Sequence, residues 1–254
     1  MKIDSPSGPA TLRTMLQERT WSRRAAGWDH SSMPGMEKIA TAVMTYAGDV
    51  DGRDVVDLGC GSGQLTLRLA ERARSVVAVD FSAEMLDLLR ERAEASGLDN
   101  VEGVRSSLQA LDLPARSVDV VVTNYALHHL RHPEKAALVR RMVTWLRPGG
   151  LLVIGDMMFG LGSDADSRQI IAGKVRSIAR RGPAGWWRIL KNGWKLVVSR
   201  EECPAPIEMW ERMLREAGFE SVRSERVVAE AAVVAGRAGL RGTASDELAR
   251  TAYK

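Results

Sequence analysis

The chain has 254 residues, 45% of them apolar, and a net charge of +4, which suits one domain with an elaboration and a full core. It has no run of about eighteen or more apolar residues, which excludes a membrane-spanning helix, and Met1 to Ala10 lack the basic-then-apolar pattern of a secretory signal. Two cysteines, Cys60 and Cys203, are too few for a disulfide framework or a metal cluster, so the expected compartment is a reducing cytoplasm.

Residues 1–10 are rich in Pro, Ser and Gly and read as an unstructured lead. Residues 11–47 form an expected N-terminal helical cap of two stretches, interrupted near Ser31-Ser32-Met33-Pro34. Strand 54–58, helix 63–73, strand 75–80, helix 82–96, strand 101–105, strand 118–123, helix 134–146 and strand 149–156 follow. Short β-branched runs alternating with longer amphipathic ones predict an α/β fold, a parallel sheet with helices on both faces. Ser82 is placed to cap helix 83–95, and Arg147-Pro148-Gly149-Gly150 ends the helix before it. After Asp156 the rhythm breaks, and 157–206 reads as a helical lid insertion. Helix 207–217 and strands 219–228 and 230–236 resume the pattern, the two strands close enough to form a hairpin that reverses the last one. The core of this single domain is thus 48–156 with 207–237, and 238–254 is an expected flexible tail.

The chemistry concentrates in Val55 to Gly63, V-V-D-L-G-C-G-S-G, and in Asp80, which ends the apolar run Val76-Val77-Ala78-Val79. Two neighbouring parallel strands that finish in glycines and in an acid build a nucleoside site at their carboxyl ends. Gly59, Gly61 and Gly63 allow a tight turn and close approach to a ligand, and Asp80 is placed to accept both hydroxyls of a ribose. A dinucleotide fingerprint would read G-x-G-x-x-G, with amides aimed at a pyrophosphate. Here the spacing is G-x-G-x-G, and Asp57 stands two residues before the first glycine. That carboxylate repels a pyrophosphate and suits a cationic amino acid group.

The order D-x-G-x-G-x-G followed by the ribose acid resembles motif I of the class I S-adenosylmethionine-dependent methyltransferases. V-V-A-V-D-F-S-A-E-M-L, S-V-D-V-V-V-T-N-Y-A-L-H-H-L and L-R-P-G-G-L-L-V-I-G-D resemble the family's next motifs. The pattern is nearest to the UbiE-like enzymes that act on small molecules and lipid quinones. The resemblance implies a Rossmann-like, seven-stranded, mostly parallel sheet with one antiparallel edge strand, and S-adenosylmethionine as cofactor with S-adenosylhomocysteine as product. By the same resemblance Asp57 lies near the cofactor's ammonium, with Gly59 and Gly61 against its methionine part. Cys60 fills the loop between them, where a small residue is needed. Phe81 and Met85 flank the adenine, Asn124 offers its backbone carbonyl to the ammonium, and Trp28 closes over the methionine end. Relatives commonly carry Gly-Asp-Ala before the fourth strand; this chain has Ser106-Ser107-Leu108. Ser107 can accept from the adenine amino group without charge assistance, and the Leu108 amide can serve a ring nitrogen, so the site is expected to work with reduced affinity.

His128 and His129 follow the fourth strand at its carboxyl end and are the candidate catalytic residues. An unperturbed imidazole, titrating near ~6.5, takes a proton at neutral pH; the bland alternative is packing or capping of the next helix. His30 and His132 read as surface or loop residues, and the four histidines lack metal-ligand spacing, so no metal is expected. Between Arg168 and Arg200 there are nine Lys or Arg and no acid. Trp187, Leu190, Trp194 and Val197 lie on one helical face there, with Arg188, Lys191 and Lys195 beside it. Three readings stay open: a lid packed on the core, a lid lining a pocket for a hydrophobic or anionic acceptor, and peripheral contact with an anionic membrane. Nucleic acid is disfavoured, since Asn124-Tyr125-Ala126-Leu127 lacks the paired prolines of base-amino methylases. The expected function is methyl transfer to oxygen or carbon of a small organic acceptor. The alternative is a non-catalytic or membrane-associated S-adenosylmethionine-binding protein. Oligomeric state is not encoded in any motif.

Overall fold

The computed structural model describes residues 34–160 and 203–240. Seven strands form one sheet in the order β3-β2-β1-β4-β5-β7-β6. In chain order the elements are α1 (Pro34–Ala47), β1 (Asp54–Leu58), α2 (Gln64–Ala70), β2 (Ser75–Asp80), α3 (Ala83–Ala95), β3 (Val101–Arg105) and β4 (Val118–Asn124), then a 3-10 turn (Leu127–His129), α4 (His132–Trp145), β5 (Leu146–Met157), α5 (Ile207–Glu216), β6 (Phe219–Val228) and β7 (Ala231–Ala238). The first five strands are parallel neighbours, with Val56 beside Val77 and Val121. Val-rich strands buried on both faces suit this arrangement, and helices cover the sheet on each side with separate apolar clusters.

The reversed strand is β7, antiparallel to both β5 and β6. Its expected place at the sheet edge is corrected: β7 lies between them, and β6 is the edge. Ala231–Ala238 is buried at seven of its eight positions, as an inner strand must be, whereas Phe219–Val228 exposes its charged residues. Helix α4 begins earlier than the predicted 134, because Pro133 fits a first turn and Glu134 accepts from the Arg131 backbone N at 2.7 Å. Strand β5 likewise begins at Leu146 and carries Arg147–Gly150 within it. Ser82 caps α3 as expected, its Oγ accepting from Met85 N at 3.3 Å.

Helix α1 crosses the sheet over β5. A Cβ on Gly155 would lie 2.5 Å from Val43 Cγ2 and 2.7 Å from Ile39 Cγ2, so glycine is what lets the helix sit this close. Trp28, His30 and the rest of 1–33, residues 161–202 with their basic Trp-bearing stretch, and 241–254 lie outside the described residues.

Candidate functional site

At the carboxyl ends of β1 and β2 the three glycines of the loop perform different tasks. Gly59 has φ +72, and a Cβ there would come within 2.3 Å of the Ala126 Cβ, so the loop touches the turn after β4. Gly63, at φ +93, lets Leu89 of α3 approach in the same way. Gly61, at φ +52, has nothing within 4 Å of a Cβ position; it faces open space. The loop is tied to β2 by Gly59 N and Cys60 N, which both donate to Val79 O at 2.8 and 3.1 Å.

Asp80 completes the tie. Its Oδ2 accepts from Gly61 N and its Oδ1 from Ser82 N, both at 2.9 Å. Burial raises this carboxyl, while the Ser82, Gly61 and Phe81 amides pull the other way. Asp57 is 1% exposed, and Thr66 Oγ1 donates to its Oδ2 at 2.6 Å. Burial pushes Asp57 up to about 7, with the Asp80 charge adding to the rise and the Thr66 hydroxyl opposing it. Two acids raised by burial, one of them further by the other's charge, mark a site awaiting positive charge.

Around them opens a cleft of about 1060 Å³, mouth included. Asp57, Gly59, Cys60, Gly61, Asp80, Phe81, Met85, Ser107, Leu108 and Asn124 all line it, so the sequence-predicted cofactor residues within the described chain converge on one space. Trp28 falls outside the described residues. Cys60 is buried, and burial drives its thiol well up, the two aspartates adding to the effect, so it is no nucleophile. Ser107 Oγ accepts from Ala110 N at 3.3 Å, and the Leu108 carbonyl accepts from Arg141 at 2.8 Å, which fixes the loop that stands where an acid is common. Asn124 Oδ1 is buried with no hydrogen-bond partner in the described protein. Among the described lining residues there is no Lys or Arg. Two buried acids with no described cation, and a thioether and an aromatic ring in the same lining, fit a sulfonium nucleoside bearing an ammonium.

The paired histidines separate. His129 lines the cleft with Tyr125, Ala126 and Leu130. His128, 7% exposed, is turned to Asp156, whose Oδ1 stands 2.6 Å from its Nδ1 and whose Oδ2 accepts from its backbone N at 2.8 Å. The two imidazoles lie 4.1 Å apart between centroids. Asp156 was not among the sequence candidates. Its signal was present: it stands next to last in β5, at the carboxyl end where β4, the parallel neighbour, delivers the histidines, with Asn124 paired to Gly155. Tyr125 was missed too. It sits at φ +51 with its N donating to Gly155 O at 2.8 Å, and burial, then Glu230 and Asp156, raise its phenol. His132 starts α4 and does not line the cleft.

Residues 55–150 match a family model described as a methyltransferase domain. An uncharacterized methyltransferase of Anoxybacillus flavithermus is 33% identical over 125 residues, 49% of this chain and 55% of that protein. The chain thus spans about half the length of that relative. The ubiquinone/menaquinone biosynthesis C-methyltransferase UbiE of Cronobacter sakazakii is 30% identical over 181 residues, 67% of this chain and 68% of the relative. Among solved structures, the Burkholderia thailandensis 1,6-didemethyltoxoflavin-N1-methyltransferase, with bound 1,6-didemethyltoxoflavin and S-adenosylhomocysteine, superposes with a TM-score of 0.62 at 20% identity, covering 93% of each chain.

Proposed function

The chain belongs to the class I methyltransferases that depend on S-adenosylmethionine, and we propose that it methylates an oxygen or carbon of a small organic acceptor, releasing S-adenosylhomocysteine. The observation that carries this reading is the pair Asp57 and Asp80, buried in the wall of a cleft whose described lining holds no cation. When bound, the cofactor supplies a methyl group on a positively charged sulfur, open to in-line displacement. Asp80 accepts from the ribose hydroxyls, Asp57 faces the ammonium, and Phe81 and Met85 hold the adenine. Tyr125, Ala126, Leu130 and Met36 also line the cleft, an apolar setting that supports a hydrophobic acceptor. His129 takes the proton where the acceptor must lose one. The Cronobacter relative is named for transfer to carbon and the Burkholderia protein for transfer to a ring nitrogen; both names fit small organic acceptors. An anionic acceptor or a membrane contact would depend on 168–200, outside the described residues.

Calorimetric titration of S-adenosylmethionine and S-adenosylhomocysteine into cofactor-stripped protein tests the reading. Asp80→Ala is expected to weaken both by about 1.5–3 kcal/mol, because charged hydrogen bonds disappear. Affinity within twofold of the parent would remove Asp80 from the cofactor. Failure of both ligands to bind the parent would remove the cofactor and the methyl-transfer reading with it.

The same titration at two pH values tests Asp57. With its carboxyl pushed up to about 7 in the free protein, binding an ammonium below that value requires the proton to leave. Affinity should therefore rise with pH and level off above 7. The expected gain from pH 6 to pH 8 is roughly tenfold, and Asp57→Asn should be nearly flat. A parent whose affinity is equal at both pH values contradicts the assignment.

A further inference from the structure

Methyl transfer as proposed leaves Asp156 without a part, yet this carboxylate is 1% exposed and its described contacts centre on one residue. Oδ2 accepts from His128 N at 2.8 Å, Oδ1 lies 2.6 Å from His128 Nδ1, and Met157 N donates to Oδ1 at 2.7 Å. On the far side of His128, Cys203 N donates to its carbonyl at 2.7 Å. We propose that Asp156 is a positioning residue, which acts through His128 to hold the imidazole pair so that His129 faces the acceptor end of the cleft as the proton-accepting group. The inference rests on the methyl-transfer reading.

Burying a carboxylate costs several kcal/mol unless its oxygens are well used. Here they fix a ring rather than merely joining two strands. A carboxylate against Nδ1 keeps a proton on that nitrogen and leaves Nε2 as the only ring atom that exchanges one. The fixed ring then packs against His129 at 4.1 Å between centroids with the planes tilted by 47°. Burial works against the charge of Asp156, but the His128 ring, by charge and by hydrogen bond, the Met157 amide and His129 together hold it below the ordinary carboxylate value. By reciprocity the charge of Asp156 favours a proton on both imidazoles. Among the described residues, the other charged or titratable groups facing this cluster include Tyr125 and Glu230 at the same corner, Cys203, and Lys135, whose ammonium bonds the Leu130 and Cys203 carbonyls.

The test needs neither cofactor nor acceptor. In nitrogen-15-labelled protein, ring resonances of His128 and His129 are followed from pH 5 to pH 9 in the parent and in Asp156→Asn, with His128→Gln to assign them. The parent should hold the His128 Nδ1 proton throughout, as a downfield signal in slow exchange. In Asp156→Asn that signal should vanish, and the His129 midpoint should fall by about half a pH unit or more as a buried negative charge is lost. S-adenosylhomocysteine affinity, measured by calorimetry, should stay within about threefold. Equal His129 midpoints in the two proteins overturn the proposal. If Asp156→Asn does not fold, the parent decides alone: an Nδ1 proton on His128 that exchanges like that of a free imidazole overturns it. Failure of S-adenosylhomocysteine to bind the parent sinks the methyltransferase reading and leaves the histidine result intact.

Discussion

Replacing Lys135 by methionine is expected to destabilise the protein by about 2–4 kcal/mol. Lys135 is fully buried, although it sits on the helix that follows the histidines. Its ammonium donates to the carbonyls of Leu130 and Cys203 and lies 6.0 Å from the centre of the Trp210 ring. Methionine keeps most of the stem volume but leaves both carbonyls without that donor, at about 1–3 kcal/mol each. Relief from burying a cation offsets part of the loss. Denaturant unfolding measures the difference. A midpoint shift worth less than about 0.5 kcal/mol would show that other donors reach these oxygens. Because Cys203 N also donates to His128 O, the variant should loosen the segment that backs the histidine pair.

Lys135 also shows where the sequence fell silent. The helical pattern leaves a lysine to solvent by default, and its burial depends on Cys203 and Trp210, far along the chain. Asp156 is a milder case. Once β4 and β5 are known to be parallel neighbours, residues at their carboxyl ends must meet, but a separation of 28 positions between His128 and Asp156 gives no periodic signal. By contrast β1, β2, β3 and β6 appear at their predicted bounds: β1 and β2 are apolar runs that end in Gly or Asp, and β3 and β6 are bounded by turn residues, all of them local signals. The loop glycines and Asp80 belong to the same class: a strand end fixes where they stand. Placement of β7 was legible as well. Ala231-Ala232-Val233-Val234-Ala235 has no polar residue and demands two covered faces, whereas β6 carries Glu and Arg throughout and tolerates an edge. The short spacing marks the hairpin, and the polarity of its two arms marks which of them pairs with β5.

Gly59→Ala carries the other large effect, and it joins fold to site. Alanine at φ +72 costs about 1–2 kcal/mol by itself. Its methyl group would also lie 2.3 Å from the Ala126 Cβ, an overlap that no rotamer relieves, since both atoms are fixed to backbone. Either the glycine loop or the turn leading to His129 must move, which adds about 1–3 kcal/mol. The expected loss of stability is therefore about 2–5 kcal/mol, read from thermal or denaturant unfolding. Gly61 N holds Asp80 Oδ2 from the same loop, so S-adenosylhomocysteine affinity should fall at least tenfold in whatever folded protein remains. Gly61→Ala is the control, because its Cβ would meet nothing within 4 Å of protein. That variant should lose less stability and still lose cofactor affinity, as its methyl group enters the cleft. Equal stability for Gly59→Ala and the parent would mean that the loop and the turn after β4 are not in contact. Full cofactor affinity in Gly61→Ala would mean that the ligand lies elsewhere in the cleft.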